Sequence, residues 1–276
     1  MTAVVLALAA AALWGTGDFF GGLATRRVNV LIVLFWSQLA GLAGVVVWIA
    51  VSDSARPGAD LLYAAAAGIA GAVGLGCLYR GMAIGAMGIV APISATSPIV
   101  PLAFSVARGD SPAALQWAGI GLALVGIVLV SREPGGIGSG VAAGVGLALV
   151  AALGFGLFVV GLGEAAQESA SWAVASARLS SVTIVLLALA WTRTVPRVSR
   201  RLIPLILAVG VFDTGANALI AVASTRGSIG IVAVLSALYP ITTILLARVV
   251  LHERLGPTRT VGGLIALGGA ALIAAG

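Results

Sequence analysis

The sequence predicts an all-α membrane protein of ten transmembrane helices, arranged as two inverted five-helix repeats around a central cavity. Three observations lead there. The 276 residues are 61% hydrophobic and only 9% charged, against roughly 25% charged in a soluble domain, so the chain cannot wet its own surface. Apolar runs of about twenty residues recur between short polar breaks, the length a helix needs to cross a hydrocarbon core of about 30 Å. A segment of the first half returns in the second. In lipid each unpaired backbone amide costs several kcal/mol, which leaves helices or closed barrels, and runs of this length select helices.

The apolar runs place spans near residues 3–23, 28–50, 60–82, 87–107 and 113–131, then 141–161, 171–191, 203–223, 229–250 and 257–275. The connections are short. The most irregular, Arg132 to Gly140 (REPGGIGSG), is rich in glycine and reads as a linker between a first repeat, 1–131, and a second, 141–276. Gly85 to Ile99 (GAMGIVAPISATSPI) and Gly227 to Ile241 (GSIGIVAVLSALYPI) share nine identities in fifteen positions at an offset of 142. The match pairs Ser94 with Ser236 and Pro98 with Pro240, and after one added residue it resumes with Gly119/Gly262, Ala123/Ala266 and Gly126/Gly269. Five helices per copy is an odd number, so the second copy enters the membrane in the opposite sense. Inverted repeats of this kind build alternating-access carriers whose substrate site lies near the midplane between the halves.

A net charge of +6 would point to nucleic acid in a soluble protein, but here the basic residues, all fifteen of them arginine, sit between apolar runs as membrane-flanking anchors. Cys77 is the only cysteine, which excludes an intrachain disulfide, a CxxC redox pair or a thiolate zinc cluster; it reads as a small buried apolar residue. The first apolar run begins without a basic leader region, so the first helix is expected to be retained.

Leu13-Trp14-Gly15, the repeated Gly/Ser/Pro segments of the fourth and ninth spans, and Leu251-His252-Glu253-Arg254-Leu255 before the tenth resemble the drug/metabolite transporter superfamily, specifically its EamA-type ten-helix members. The resemblance covers nearly the whole chain, with Asp110 standing where the first copy of the family pattern has glutamate. It implies a basket of helices whose cavity is lined by helices 1, 3, 4, 6, 8 and 9, with 5 and 10 peripheral. It also implies export of amino acids, other metabolites or drug-like compounds.

Ionisable groups inside a membrane are costly and mark function by default, and there are four: Asp18, Arg80, Arg178 and Asp213. Asp18 and Arg80 lie towards the same face and are expected partners, unless Arg80 snorkels to the headgroups. Asp213 stands near the midplane with Asn217 one turn further on the same helical face, and Arg178 lies level with Asn217. Two readings follow: an Arg178–Asp213 structural ion pair, or a cavity carboxylate that takes substrate amines or protons. Ser94, Thr96, Ser97 and Pro98, with Ser236, Tyr239 and Pro240, form candidate substrate-contacting and gating segments, because proline frees a carbonyl at mid-membrane. Their plainer reading is a kink with serines bonded back to the preceding turn. Trp14, Tyr79, Phe155 and Phe158 are candidate cavity aromatics, and the GxxxG matches at Gly17–Gly21, Gly81–Gly85 and Gly140–Gly144 speak for close helix packing.

Competing classes fare worse. His252 is the only histidine and lies at a loop edge, HExxH and Walker A sequences are absent, and no nucleotide-binding domain is present. No catalytic residue, metal ligand or cofactor is expected. The expected partners are a small-molecule substrate and membrane lipids, without nucleic acid, in a monomer or homodimer. The arginine-only, Ala/Gly/Val-rich composition suits a GC-rich bacterial genome, hence a multi-pass protein of the bacterial inner membrane. Within transport, amino-acid or metabolite efflux by gradient or exchange leads; small-multidrug-type cation export and lipid-linked sugar flipping follow.

Orientation supplies a first prediction. Loops after odd helices hold Arg26, Arg27, Arg80, Arg132, Arg193, Arg197, Arg200, Arg201, Arg248, Arg254 and Arg259, whereas loops after even helices hold Arg56, Arg108 and Arg226. The positive-inside rule therefore places both termini outside, while the family resemblance implies both inside. In a Cys77-free background, an impermeant thiol reagent on whole cells should reach a cysteine at Gly58 and not one at Val198. Labelling of position 198 alone would reverse the orientation.

Overall fold

The computed structural model describes residues 1–51, 60–83, 93–131, 141–252 and 256–276, and every regular element among them is a helix. The first repeat supplies α1 (Thr2–Thr25), α2 (Val30–Val51), α3 (Leu61–Ala83), α4 (Ile99–Ala107) and α5 (Ala114–Ser131). The second supplies α6 (Val141–Ala166), α7 (Ala170–Trp191), α8 (Ile203–Ser224), α9 (Ile229–Ser236), α10 (Tyr239–Val250) and α11 (Pro257–Ala275). Seven stretches among the described residues are long and apolar enough to cross a membrane: α1, α2, most of α3, α6, α7, α8 and the run Ile229–Val250. Shorter apolar stretches lie in α5 and α11. This is an all-α, multi-pass membrane protein.

The helices start and stop where local chemistry dictates. Asn29 Oδ1 accepts the Leu31 amide at the head of α2. Prolines occupy the first turns of α8, α10 and α11, where their missing N–H costs nothing. Two differences from the sequence expectation stand out. The sixth span runs five residues further, to Ala166, because a helix does not end where hydropathy falls; its last turn carries Glu164 out of the apolar zone. The ninth is two helices, broken at Ala237–Leu238. The expected linker 132–140 and the first six residues of the fourth span, 87–92, lie outside the described residues.

Helix pairing follows a twofold rule. α3 packs most extensively on α6, and α8, the equivalent of α3, packs on α1, the equivalent of α6. Likewise α3 meets α7 as α8 meets α2. The pairing of α5 with α11 shows the rule at single residues, since a Cβ on Gly126 would lie 2.4 Å from the Ala266 amide and one on Gly269 would lie 2.5 Å from that of Ala123. These are the residues matched between the two sequence repeats. Near-backbone contact of this kind is the usual source of helix association in lipid, where no hydrophobic force acts between helices.

Side-chain size is sorted accordingly. Ala7, Ala10, Ala64, Ala148, Ala216 and Ala221 are fully enclosed, while Leu187, Val211 and Leu264 stand on the outer wall, and Trp191 sits at a helix end as an interfacial anchor. Gly126→Leu should therefore push α5 off α11 and cost about 1 to 3 kcal/mol, whereas the same change at the open Gly121 should be neutral. Thermal denaturation of the two variants in detergent checks the contrast.

Candidate functional site

Both copies of the repeated segment break near mid-membrane. In the first, residues 95–98 form a turn, with Thr96 Oγ1 donating to the Ile93 carbonyl and Pro98 capping α4. In the second, Ala237–Leu238 separates α9 from α10, which opens with Tyr239 and Pro240. At 1.5 Å per residue, α4 and α9 each reach about 12 to 14 Å from the break to the membrane face. That face also holds both chain ends: Ala3 lies against Gly227, and Gly276 against Gln116. It is termed the terminal face below.

Beside the breaks lies a charged cluster. The Arg178 guanidinium, on α7 and only 4% exposed, comes within 2.5 Å of Asp213 on α8, whose side chain is 36% exposed. Arg178 Nη1 also donates to Gln38 Oε1 on α2. Arg178 Nε and Nη2 make no directed hydrogen bond, so the pair is held mainly by charge. Asp18, on α1, stands near enough to Asp213 for the two negative charges to repel, and it has no hydrogen bond or ion pair among the described residues. Asp18 is exposed in the structure. Groups of both signs thus meet at the junction of α1, α2, α7 and α8.

Glycines set the spacing that allows this. A Cβ on Gly210 would lie 2.3 Å from the Ser37 carbonyl, and one on Gly68 would lie 2.2 Å from that of Ala177. These contacts bring α2 against α8 and α3 against α7 one residue from Gln38 and Arg178. Gly17, next to Asp18, faces the Asp213 amide at 3.5 Å by the same measure.

The remaining candidate residues divide. Asn217 is buried one turn beyond Asp213, and neither its Oδ1 nor Thr214 Oγ1 has a hydrogen-bond partner among the described residues. Trp14 meets Tyr239 edge to face at 6.1 Å, joining α1 to α10, and Thr243 Oγ1 donates to the Gly15 carbonyl there. Ser94 and Ser236 are both enclosed by protein: Ser94 reaches the Ala148 carbonyl on α6 at 3.5 Å, while Ser236 bonds back to Ala233 in its own turn. Ser97 is half-buried, its carbonyl close to Gly156 on α6. Phe155 and Phe158 pack on Gly74 and Gly71 of α3.

The expected Asp18–Arg80 pair does not form. Arg80 is exposed near the end of α3, and α3 packs on α6 and α7 rather than on α1, so sharing a depth did not make the two neighbours. Tyr79 belongs to α3, but its side chain lies outside the described residues, as does half of the Gly81–Gly85 motif. Gln38 was absent from the sequence candidates. A glutamine amid the apolar run of the second span was the available signal, but uncharged amides escape a search for ionisable groups.

α9 buries Ile229, Gly230 and Val232 to Ser236, and it packs on α4, which buries Pro101, Leu102 and Ser105. Ser105 Oγ accepts the Gly230 amide at 2.8 Å and receives the Ser228 hydroxyl at 3.3 Å, and Arg108 pairs with Glu164 nearby. α10, the equivalent of α4 in the second repeat, buries no residue. α4 and α9 are thus packed together at the terminal face.

The long apolar helices, with a break in each copy of the repeated segment and a charge cluster beside the breaks, are those of a multi-pass membrane protein. The chain belongs to the EamA-like transporter family: the family model matches residues 1–132 and again residues 142–275. The protein is therefore a transporter of the drug/metabolite class. A crystal structure described only as that of a protein superposes on it with a TM-score of 0.81, covering 98% of this chain and 95% of its own. At 20% identity that likeness extends to the fold alone. No curated protein matches the chain.

Proposed function

We propose that the chain is a secondary transporter, an exporter, of small metabolites of the amino-acid type, driven by an ion or proton gradient or by exchange across a bacterial inner membrane. The observation that carries this reading is the cluster of one guanidinium and two carboxylates where α1, α2, α7 and α8 meet. A zwitterion offers a carboxylate to Arg178 and an ammonium to Asp18 and Asp213, so both signs are answered when it binds. No catalytic role is assigned to any residue. In this reading α4 and α9 close the terminal face, and transport requires them to part.

Asp18, without an ion-pair partner among the described residues and one helical turn from Trp14 on α1, favours a second reading as an exporter of organic cations. A melting-temperature screen separates the two. At a hundredfold excess over Kd, a true ligand adds about 2.7 kcal/mol to stability. Amino acids should raise the melting temperature; a response to quaternary amines or lipid-linked sugars alone would reject the amino-acid reading.

A further inference from the structure

Beyond the mid-membrane cluster the structure contains a cavity of about 330 Å³ on the terminal face, between the ends of α4, α6 and α8 and the start of α9. Its volume is at the lower end of the range for small-molecule sites. Arg108, Asp110, Glu164, Gln167, Ser224 and Ser228 contribute its polar wall. The charges come from separate elements. Arg108 ends α4, lies over the Phe104 ring at 5.2 Å and pairs with Glu164 of α6, while Asp110 follows Gly109, whose φ of 101° turns the chain back over the opening. Gln167 Nε2 is held by the Gly163 and Ser224 carbonyls. Arg226 and Glu168 lie in neighbouring turns and do not line the space.

The charge inventory is the informative part. One guanidinium and two carboxylates line this cavity, as one guanidinium and two carboxylates form the mid-membrane cluster: Arg108 with Glu164 and Asp110, and Arg178 with Asp213 and Asp18. In each, one carboxylate pairs with the arginine and the other has no ion-pair partner among the described residues. A lone anion entering either place meets an extra carboxylate, and a lone cation leaves the guanidinium competing for its partner. A ligand carrying one carboxylate and at least one ammonium answers the whole set.

We infer that this cavity is a second binding site for the transported molecule, a vestibule site on the terminal face for amino acids that carry one carboxylate and one or more ammonium groups. Deepening the amino-acid reading of the mid-membrane cluster, it rests on that reading. Binding here exchanges the Arg108–Glu164 pair for two pairs with the ligand. That removes one of the contacts between α4 and α6 at the seal, directly beside the Ser105 bonds to α9. Arrival of substrate on the terminal face thereby loosens the contacts that must part to admit it.

The test is equilibrium dialysis of the purified protein with radiolabelled L-lysine. Wild type should take up two equivalents per chain. Arg108→Gln with Glu164→Gln should retain one, and Arg178→Gln with Asp213→Asn should retain the other, each variant losing at least tenfold affinity at the altered site. Cadaverine and hexanoate, which carry one sign each, should bind the vestibule at least tenfold more weakly than lysine; equal binding would reject the zwitterion assignment. A single wild-type equivalent that survives in R108Q/E164Q and vanishes in R178Q/D213N would overturn the vestibule site and leave the amino-acid reading standing. One lost only in R108Q/E164Q would keep the vestibule and reject the mid-membrane site. No bound lysine at all would overturn both.

Discussion

Asp213→Asn should destabilise the protein by about 3 kcal/mol and abolish transport. The carboxylate is the ion-pair partner of Arg178, which is 4% exposed and draws its other protein contact from Gln38. Removing one member of a buried pair leaves the other charge without compensation, at a typical cost of about 3 to 5 kcal/mol. The lower end applies because Asp213 is 36% exposed, so water screens part of the interaction. Arg178→Gln in the same chain removes the stranded cation and should recover most of the lost stability, since a neutral pair in this place needs no charge compensation. It should not recover transport, because neither sign remains to receive the substrate. Denaturation midpoints of the single and double variants form the cycle that isolates the pair. Additive losses would show that Arg178 and Asp213 act independently.

The second large effect concerns the seal. Ser105 and Ser228 hydroxyls lie 3.3 Å apart across α4 and α9, so sulfurs in their places come close enough to be joined by oxidation. With Cys77→Ala, the S105C/S228C protein should cross-link on oxidation and lose at least tenfold in transport rate, with full return on reduction. Each single cysteine should transport at a rate that oxidation and reduction leave unchanged. Undiminished transport by the cross-linked protein would mean that α4 and α9 stay together throughout the cycle, and the route would then have to run elsewhere.

Most of the fold was legible because lipid imposes it. Span length follows from membrane thickness, and the inverted arrangement follows from an odd number of helices in a repeated unit, so both could be derived from hydropathy and the Gly85–Ile99/Gly227–Ile241 match. Asp213 and Arg178 were legible as a pair because each had a depth that could be counted from a helix end. Depth is only one coordinate, however, and the azimuth around each helix is set by which neighbours it packs on. That is why Asp18 and Arg80, placed towards one face, are on helices without extended contact, and why Asp18 instead stands beside Asp213 through the Gly17 approach. Ser94 and Ser236 show the same limit. Their equivalence under the repeat was readable, but whether a hydroxyl opens to a cavity or satisfies a carbonyl depends on contacts with α6 and on the turn itself. The difference in burial between α4 and α10 could not be read at all, since a symmetric sequence repeat does not distinguish its two copies.

The most direct test of the account is counterflow in proteoliposomes. Vesicles loaded with the amino acid that best raises the melting temperature are diluted into a trace of the same compound carrying a radiolabel. Wild-type protein should accumulate label transiently above its equilibrium level. R178Q/D213N, though folded, should accumulate none beyond protein-free vesicles. Equal counterflow by the two proteins would contradict the claim that the mid-membrane charge cluster carries the substrate.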